Sequence, residues 1–84
     1  MDWSLRELRF FVTAADSGSF TEAASQLYVS QAAVSRTIAT LERSVGDRVL
    51  RRVPRGCELT SSGRQILPQA RRVLAEADRF TEFL

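Results

Sequence analysis

Hydrophobic residues recur at helical spacing in four segments of the 84-residue chain. In the first segment, residues 4–17, the predicted buried stripe comprises Leu5, Leu8, Phe11, Val12 and Ala15. Ser4 and Glu7 at its start have the S-x-x-E spacing of a capping box. Gly18 follows the last periodic residue, so a helix is predicted to end there.

A second S-x-x-E box at Ser19 and Glu22 predicts a short helix that continues to residue 27. Tyr28 and Val29 then interrupt the helical pattern, and Ser30 is placed to cap a third helix that runs to about residue 45. The third helix has a core-facing stripe that includes Val34, Ile38 and Leu41. Its opposite face carries only small or hydrogen-bonding residues: Gln31, Ala32, Ser35, Arg36, Ala39 and Arg43. Such a face can approach a partner closely.

Two short extended runs follow the third helix, at residues 49–53 and 57–60. Pro54, Arg55 and Gly56 join them, which predicts a hairpin tipped with arginine. A last helix is predicted from Thr60 or Ser61 to the C-terminus, with a bend rather than a break at Pro68. Its apolar residues recur in alternating steps of four and three: Ile66, Ala70, Val73, Ala77, Phe80 and Leu84. Leu67 and Leu74 lie beside this row and widen it. This spacing is typical of a coiled-coil seam and predicts a homodimer, although the seam could instead pack on its own domain.

The composition allows one small domain and excludes several kinds of chemistry. The chain has no histidine and a single cysteine, Cys57, so it lacks the residues for a His-paired nucleophile or a zinc clamp. We therefore expect no catalytic residues, no metal site, no cofactor and no enzyme activity, and we expect Cys57 to serve packing. The absence of a signal peptide and of a long apolar run predicts a soluble, cytoplasmic protein without a membrane partner.

Positive charge is concentrated in the middle of the chain. The net charge is only +2, but residues 29–56 contain six arginines and two acidic residues. Every basic residue is arginine, whose planar guanidinium suits phosphates and guanine edges. This distribution favours an anionic partner such as nucleic acid, while a solvated surface is the alternative for any single arginine.

Two helices joined by a tight turn and followed by a basic hairpin predict a mainly α, winged helix-turn-helix fold. Residues 1–60 would form the DNA-binding domain, with three helices and a two-stranded wing, and residues 61–84 a linker and dimerisation helix. Gln31, Ser35 and Arg36 give the third helix the hydrogen-bonding side chains that major-groove readout requires. The alternative is a winged helix that serves as a protein-interaction module without specific DNA binding.

The segments GSFTEAASQL and SQAAVSRTIATLE, followed by PRGCELTSSG, resemble the N-terminal domain of LysR-type transcriptional regulators. The resemblance extends over nearly the whole chain. It implies a bacterial repressor or activator that binds double-stranded DNA as a dimer on an inverted-repeat operator, with the third helix in the major groove and the wing on the minor groove or backbone. It also implies a C-terminal domain for a small-molecule effector, absent here, and the seam that stops in mid-pattern at Leu84 favours a longer parent protein.

The resemblance also assigns roles by position. It implies a phosphate contact for Thr21, base-edge contacts around the start of the third helix, and wing contacts for Arg52 and Arg55. The predicted DNA-binding set is Thr21, Ser30, Gln31, Ala32, Ser35, Arg36, Arg51, Arg52 and Arg55. The predicted dimer interface is Ile66, Ala70, Val73, Leu74, Ala77, Phe80 and Leu84. Many members of the family have proline at position 32 and phenylalanine at position 50, where this chain has alanine and leucine. Many also have an acidic or apolar residue at position 51, so Arg51 makes this wing unusually basic.

Overall fold

A computed structural model describes residues 2–84 of the chain. Its elements are α1 (Leu5–Ser17), α2 (Phe20–Leu27), α3 (Gln31–Val45), β1 (Leu50–Val53), β2 (Gly56–Leu59) and α4 (Ser61–Phe83). β1 and β2 form a two-stranded antiparallel sheet. The predicted mainly α architecture is confirmed. β1 begins one residue later than predicted, and β2 begins and ends one residue earlier than predicted.

Local hydrogen bonds explain where the helices begin and end. Each helix starts at a hydroxyl side chain that accepts a backbone N–H three residues further on: Ser4, Ser19, Ser30 and Thr60. Gly18 and Gly46 end α1 and α3 in the left-handed conformation, at φ 68° and 85°. α2 ends at Tyr28, which adopts the same conformation with φ 58° although it carries a side chain.

α1 contacts each of the other three helices and therefore lies at the centre of the core. Its buried arc is centred on Phe10, Phe11 and Ala14. The prediction that Leu5 belongs to the core is wrong, because Leu5 is 42% exposed. At 3.6 residues per turn, Leu5 lies roughly 170° from the centre of this arc, on the opposite side of α1. The predicted core residues of α3 are buried as expected: Val34, Ile38 and Leu41.

Both strands of the wing are fixed to the helices. The carboxylate of Glu42 on α3 accepts the backbone N–H of Val49 at 2.8 Å. The backbone N–H of Cys57 donates to the carbonyl of Gly18, between α1 and α2, at 2.9 Å. A Cβ at Gly56 would lie 2.0 Å from that same carbonyl oxygen, so the close approach requires glycine. The wing therefore has a defined position relative to α3.

α4 continues through Pro68 without a break and packs on the domain with its first half. Ion pairs join it to α1 at two points, Arg9 with Asp78 and Asp16 with Arg71. The Arg9 Nη2 to Asp78 Oδ1 distance is 2.8 Å, and Arg71 contacts both carboxylate oxygens of Asp16. The order of these pairs shows that α1 and α4 run antiparallel. Within residues 2–84, no helix has the length and apolar character needed to cross a bilayer.

Candidate nucleic-acid interface

The N-terminal half of α3 presents its polar face to solvent. Gln31, Ala32 and Arg36 are exposed, and Ser35 is half-buried. The Oγ of Ser30 accepts the backbone N–H of Ala33 at 3.0 Å and so holds the first turn in place. The remaining backbone N–H groups and the helix dipole make this end of α3 electropositive. An anionic or hydrogen-bonding partner can reach it without displacing any side chain of the core.

The start of α2 and the turn before α3 lie at the edges of this face. Thr21 is exposed in the first turn of α2, where a hydroxyl can donate to an anion. Tyr28 is 95% exposed in the turn and precedes the Ser30 cap by two residues. Sequence reasoning treated Tyr28 only as an interruption of the helix. The sequence did contain a signal that Tyr28 is exposed, because this large aromatic residue lies between two helices and outside the apolar stripe of either helix.

The three predicted wing arginines have different surroundings. Arg51 forms an ion pair with Glu58 directly across the sheet, at an Nε to Oε1 distance of 2.9 Å. Arg52 donates to Ser35 on α3 and lies over an aromatic ring. Arg55, in the turn between the strands, is exposed and has no ion-pair partner among residues 2–84. Arg55 is therefore the wing arginine most available to an external anion.

Glu42 fixes the distance between α3 and the wing, and sequence reasoning missed this role. Its Oε2 accepts the backbone N–H of Val49 at 2.8 Å and lies 3.3 Å from Nε of Arg48. The side chain is only 14% exposed. A carboxylate near a helix C-terminus is disfavoured by the helix dipole, so this unfavourable placement was the available signal that Glu42 has a compensating partner.

Cys57 lies behind the wing, where its Sγ is 3.6 Å from the carbonyl oxygen of Ala14. Burial raises the pKa of the Cys57 thiol, and the nearby positive charge of Arg52 opposes this rise. The side chain is 7% exposed. Cys57 thus packs as a neutral thiol at the base of the hairpin.

The residues predicted for the dimer interface divide into two groups. Ala70 and Leu74 are buried in the protomer's own core, with Ile66 and Val73 partly buried against it. Phe80 is 63% exposed and Leu84 is 86% exposed. Ala77, between the two groups, is half-buried. Beside α4 lies an apolar groove of about 200 Å³, lined in part by Trp3, Leu41, Val45, Ile66, Ala70 and Val73.

These elements define a class of protein domain. α2, a tight turn and α3 form a helix-turn-helix with an open polar face, and β1 and β2 form a wing beside that face. The molecule is therefore a winged helix-turn-helix domain with a long helix after the wing.

Comparisons with known proteins specify the family. Residues 5–64 match the model of the bacterial regulatory helix-turn-helix proteins of the lysR family. The HTH-type transcriptional regulator TfdT of Cupriavidus pinatubonensis is 40% identical over 75 residues, which are 89% of this chain and 33% of that protein. The SDS degradation transcriptional activation protein of a Pseudomonas species is 48% identical over 75 residues, 89% of this chain and 24% of that protein.

Solved structures give the same result. The CbnR_DBD–DNA complex superposes with a TM-score of 0.88 at 38% identity, covering 94% of this chain and 91% of that chain. The complex of BenM_DBD with catB site 1 DNA also has a TM-score of 0.88, at 34% identity, covering 95% of this chain and 90% of that chain. The chain belongs to the LysR family. It spans a third or less of the two curated relatives described above.

Proposed function

We propose that this chain binds double-stranded DNA sequence-specifically, as the DNA-binding part of a bacterial transcriptional regulator. The proposal rests mainly on the open N-terminal face of α3, which carries hydrogen-bonding side chains, is electropositive and is flanked by Arg55 on a fixed wing. Similarity to two domains solved as DNA complexes supports the proposal. Because bacterial DNA lies in the cytoplasm, the protein would act there, and the chain would need no catalytic group.

The chemistry of each side chain suggests its role in the groove. Arg36 has the planar fork that pairs with O6 and N7 of guanine, and Gln31 has the amide that pairs with adenine. The methyl group of Ala32 can contact the methyl group of thymine. The hydroxyl groups of Thr21 and Ser30 lie at the starts of α2 and α3, where phosphate oxygens are favoured partners.

We include dimerisation through α4 in the proposal, with residues 1–60 as the DNA-binding unit and 61–84 as the dimerisation helix. The seam positions are symmetric about Ala75. An antiparallel pair of α4 helices therefore sets Phe80 opposite the partner's Ala70, and Val73 opposite the partner's Ala77. A parallel pair would place alanine against alanine and phenylalanine against phenylalanine, with voids and crowding in alternate layers. The apolar groove beside Ala70 offers space for the Phe80 ring.

A two-fold dimer presents two copies of α3, so its preferred DNA site is an inverted repeat. Selection from a random duplex pool, followed by sequencing, tests this expectation. Recovery of sequences without an inverted repeat would contradict the proposal that the chain binds DNA as a two-fold dimer. Binding that is insensitive to both sequence and salt would contradict DNA binding itself, and would favour the protein-interaction module.

A matched pair of variants tests the role of α3. Arg36→Ala should cost about 1–3 kcal/mol on the preferred site and relax the base preference at one position of each half-site. Arg43→Ala removes the same charge two turns further along α3 and should leave the base preference unchanged. An equal loss on every sequence would reassign Arg36 to a phosphate contact.

A further inference from the structure

The side chain of Arg52 joins the wing to both helices of the helix-turn-helix. Its Nη2 donates a hydrogen bond to Oγ of Ser35 at 2.8 Å. Its Cζ lies 4.3 Å from the centroid of the Phe20 ring, a cation–π contact. Phe20 is only 9% exposed, so its ring is a fixed support for the guanidinium. One arginine of β1 thus contacts α2 and α3 together.

The direction of the hydrogen bond determines what Ser35 can still do. A guanidinium carries donors and no acceptor, so Oγ of Ser35 must be the acceptor. The positive charge of Arg52 repels the hydroxyl proton, which therefore points away from Arg52. Within the described part of the chain, no hydrogen bond uses that proton. Ser35 is left with one hydrogen to donate, in an orientation that Arg52 restricts.

We infer that Arg52 is a positioning residue for base recognition, which holds Ser35 as a hydrogen-bond donor toward an acceptor on a base edge. This inference rests on the proposed function, in which α3 lies in the major groove. The acceptors exposed there are O6 and N7 of guanine, N7 of adenine and O4 of thymine. Arg52 then acts through Ser35, and its own guanidinium is engaged within the protein instead of on a phosphate.

Arg55 provides the matched control, because it lies in the same hairpin and has no ion-pair partner among residues 2–84. A phosphate contact by Arg55 contributes equally on every sequence and adds to the salt dependence of binding. A positioning residue changes the ranking of sequences. The two roles therefore differ in a measurable way although both residues are wing arginines.

The experiment measures binding of the full chain to the selected site and to duplexes that carry each other base at every position of a half-site. Ser35→Ala should reduce discrimination at one position by about 5- to 150-fold, the range for loss of a specific base contact. Arg52→Met should relax the same position, and the double variant should discriminate no worse than Ser35→Ala alone. Arg52→Gln retains an N–H donor without the charge and should keep more discrimination than Arg52→Met. Arg55→Met should weaken binding on all duplexes alike.

Modified bases test the donor role of Ser35. At the affected position, 7-deazapurine removes N7, 2-aminopurine removes O6 of guanine, and 5-methyl-2-pyrimidinone removes O4 of thymine. One of these substitutions should weaken binding by the parent chain and leave binding by Ser35→Ala unchanged. If none does so, Ser35 is not a donor to a base and the inference is wrong.

The failures are distinguishable. If the parent chain ranks no sequence above another, the proposed function fails. If the parent chain discriminates between sequences while Arg52→Met keeps the same base preferences at every position, only the role of Arg52 is overturned. The same holds if Arg52→Met loses affinity equally on all duplexes and its binding depends less steeply on salt. Thermal unfolding by circular dichroism is followed for each variant, and Arg52→Gln keeps the comparison interpretable if Arg52→Met does not fold.

Discussion

Replacement of Phe80 by aspartate should separate the dimer while leaving the protomer folded. Phe80 is 63% exposed in the protomer, so a partner can still cover about two thirds of its side chain. Full burial of a phenylalanine is worth about 1.5–3 kcal/mol, which leaves about 1–2 kcal/mol for each ring. Two-fold symmetry doubles this to about 2–4 kcal/mol, or about 30- to 700-fold in the dimer dissociation constant. Burial of a carboxylate adds to this loss.

Analytical ultracentrifugation over a range of concentrations measures the effect, with circular dichroism as the test of folding. Thr81→Asp adds the same charge to the neighbouring, exposed position outside the seam, so its dimer should resemble the parent dimer. Phe80→Asp should still bind a single half-site and lose only the affinity gained by linking two half-sites. A parent chain that stays monomeric, or a Phe80→Asp variant that dimerises like the parent, would refute the assignment of the seam.

Three further predictions concern the fold. Gly63→Ala should destabilise the protein by about 1–3 kcal/mol in urea unfolding, because the added Cβ would lie 2.0 Å from the carbonyl oxygen of Val49. This overpacking outweighs the gain of about 1 kcal/mol in helix propensity from glycine to alanine. Unchanged stability would contradict the close approach of Gly63 to Val49. Cys57, buried and with a raised pKa, should react with a thiol reagent far faster in urea than in buffer, and rapid native labelling would contradict its burial. Hydrogen bonds from the Ser62 hydroxyl and the backbone N–H of Arg48 lower the pKa of Asp47 below its ordinary 3.8. The ionised Asp47 carboxylate therefore stabilises the fold fully above pH 3.8, and this stabilisation is lost as the pH falls through the lower pKa of the folded state. The stability difference between the parent and Asp47→Asn should therefore narrow in acid, and a constant difference would contradict the shift.

The helix boundaries were predictable because capping depends on residues only three positions apart, as at Ser4 and Ser30. The rotation of α1 about its axis was not predictable in the same way. Phe10 and Phe11 are adjacent, and an apolar stripe can be drawn through either residue. Which stripe is buried depends on how many helices cover α1, and that is a tertiary property. The error at Leu5 follows from this ambiguity.

The candidate site shows the same division between local and long-range information. Composition and spacing identified the polar face of α3 and the basic hairpin, but they could not separate the roles of the wing arginines. The pairing of Arg51 with Glu58 depends on strand register, and the contact of Arg52 with Ser35 joins residues 17 positions apart. A seam pattern likewise does not distinguish a residue buried in its own protomer, such as Leu74, from one left for a partner.

The two ion pairs between α1 and α4 also oppose incorrect alignment of these helices. Along α1 the order of charges is Arg9 then Asp16, and along α4 it is Arg71 then Asp78. Because the helices are antiparallel, each arginine meets an aspartate in the native alignment. Sliding α4 by two turns in one direction would bring Arg71 to Arg9, and sliding it in the other would bring Asp78 to Asp16. The order of charges therefore penalises both two-turn shifts by repulsion between like charges and favours a single alignment during folding.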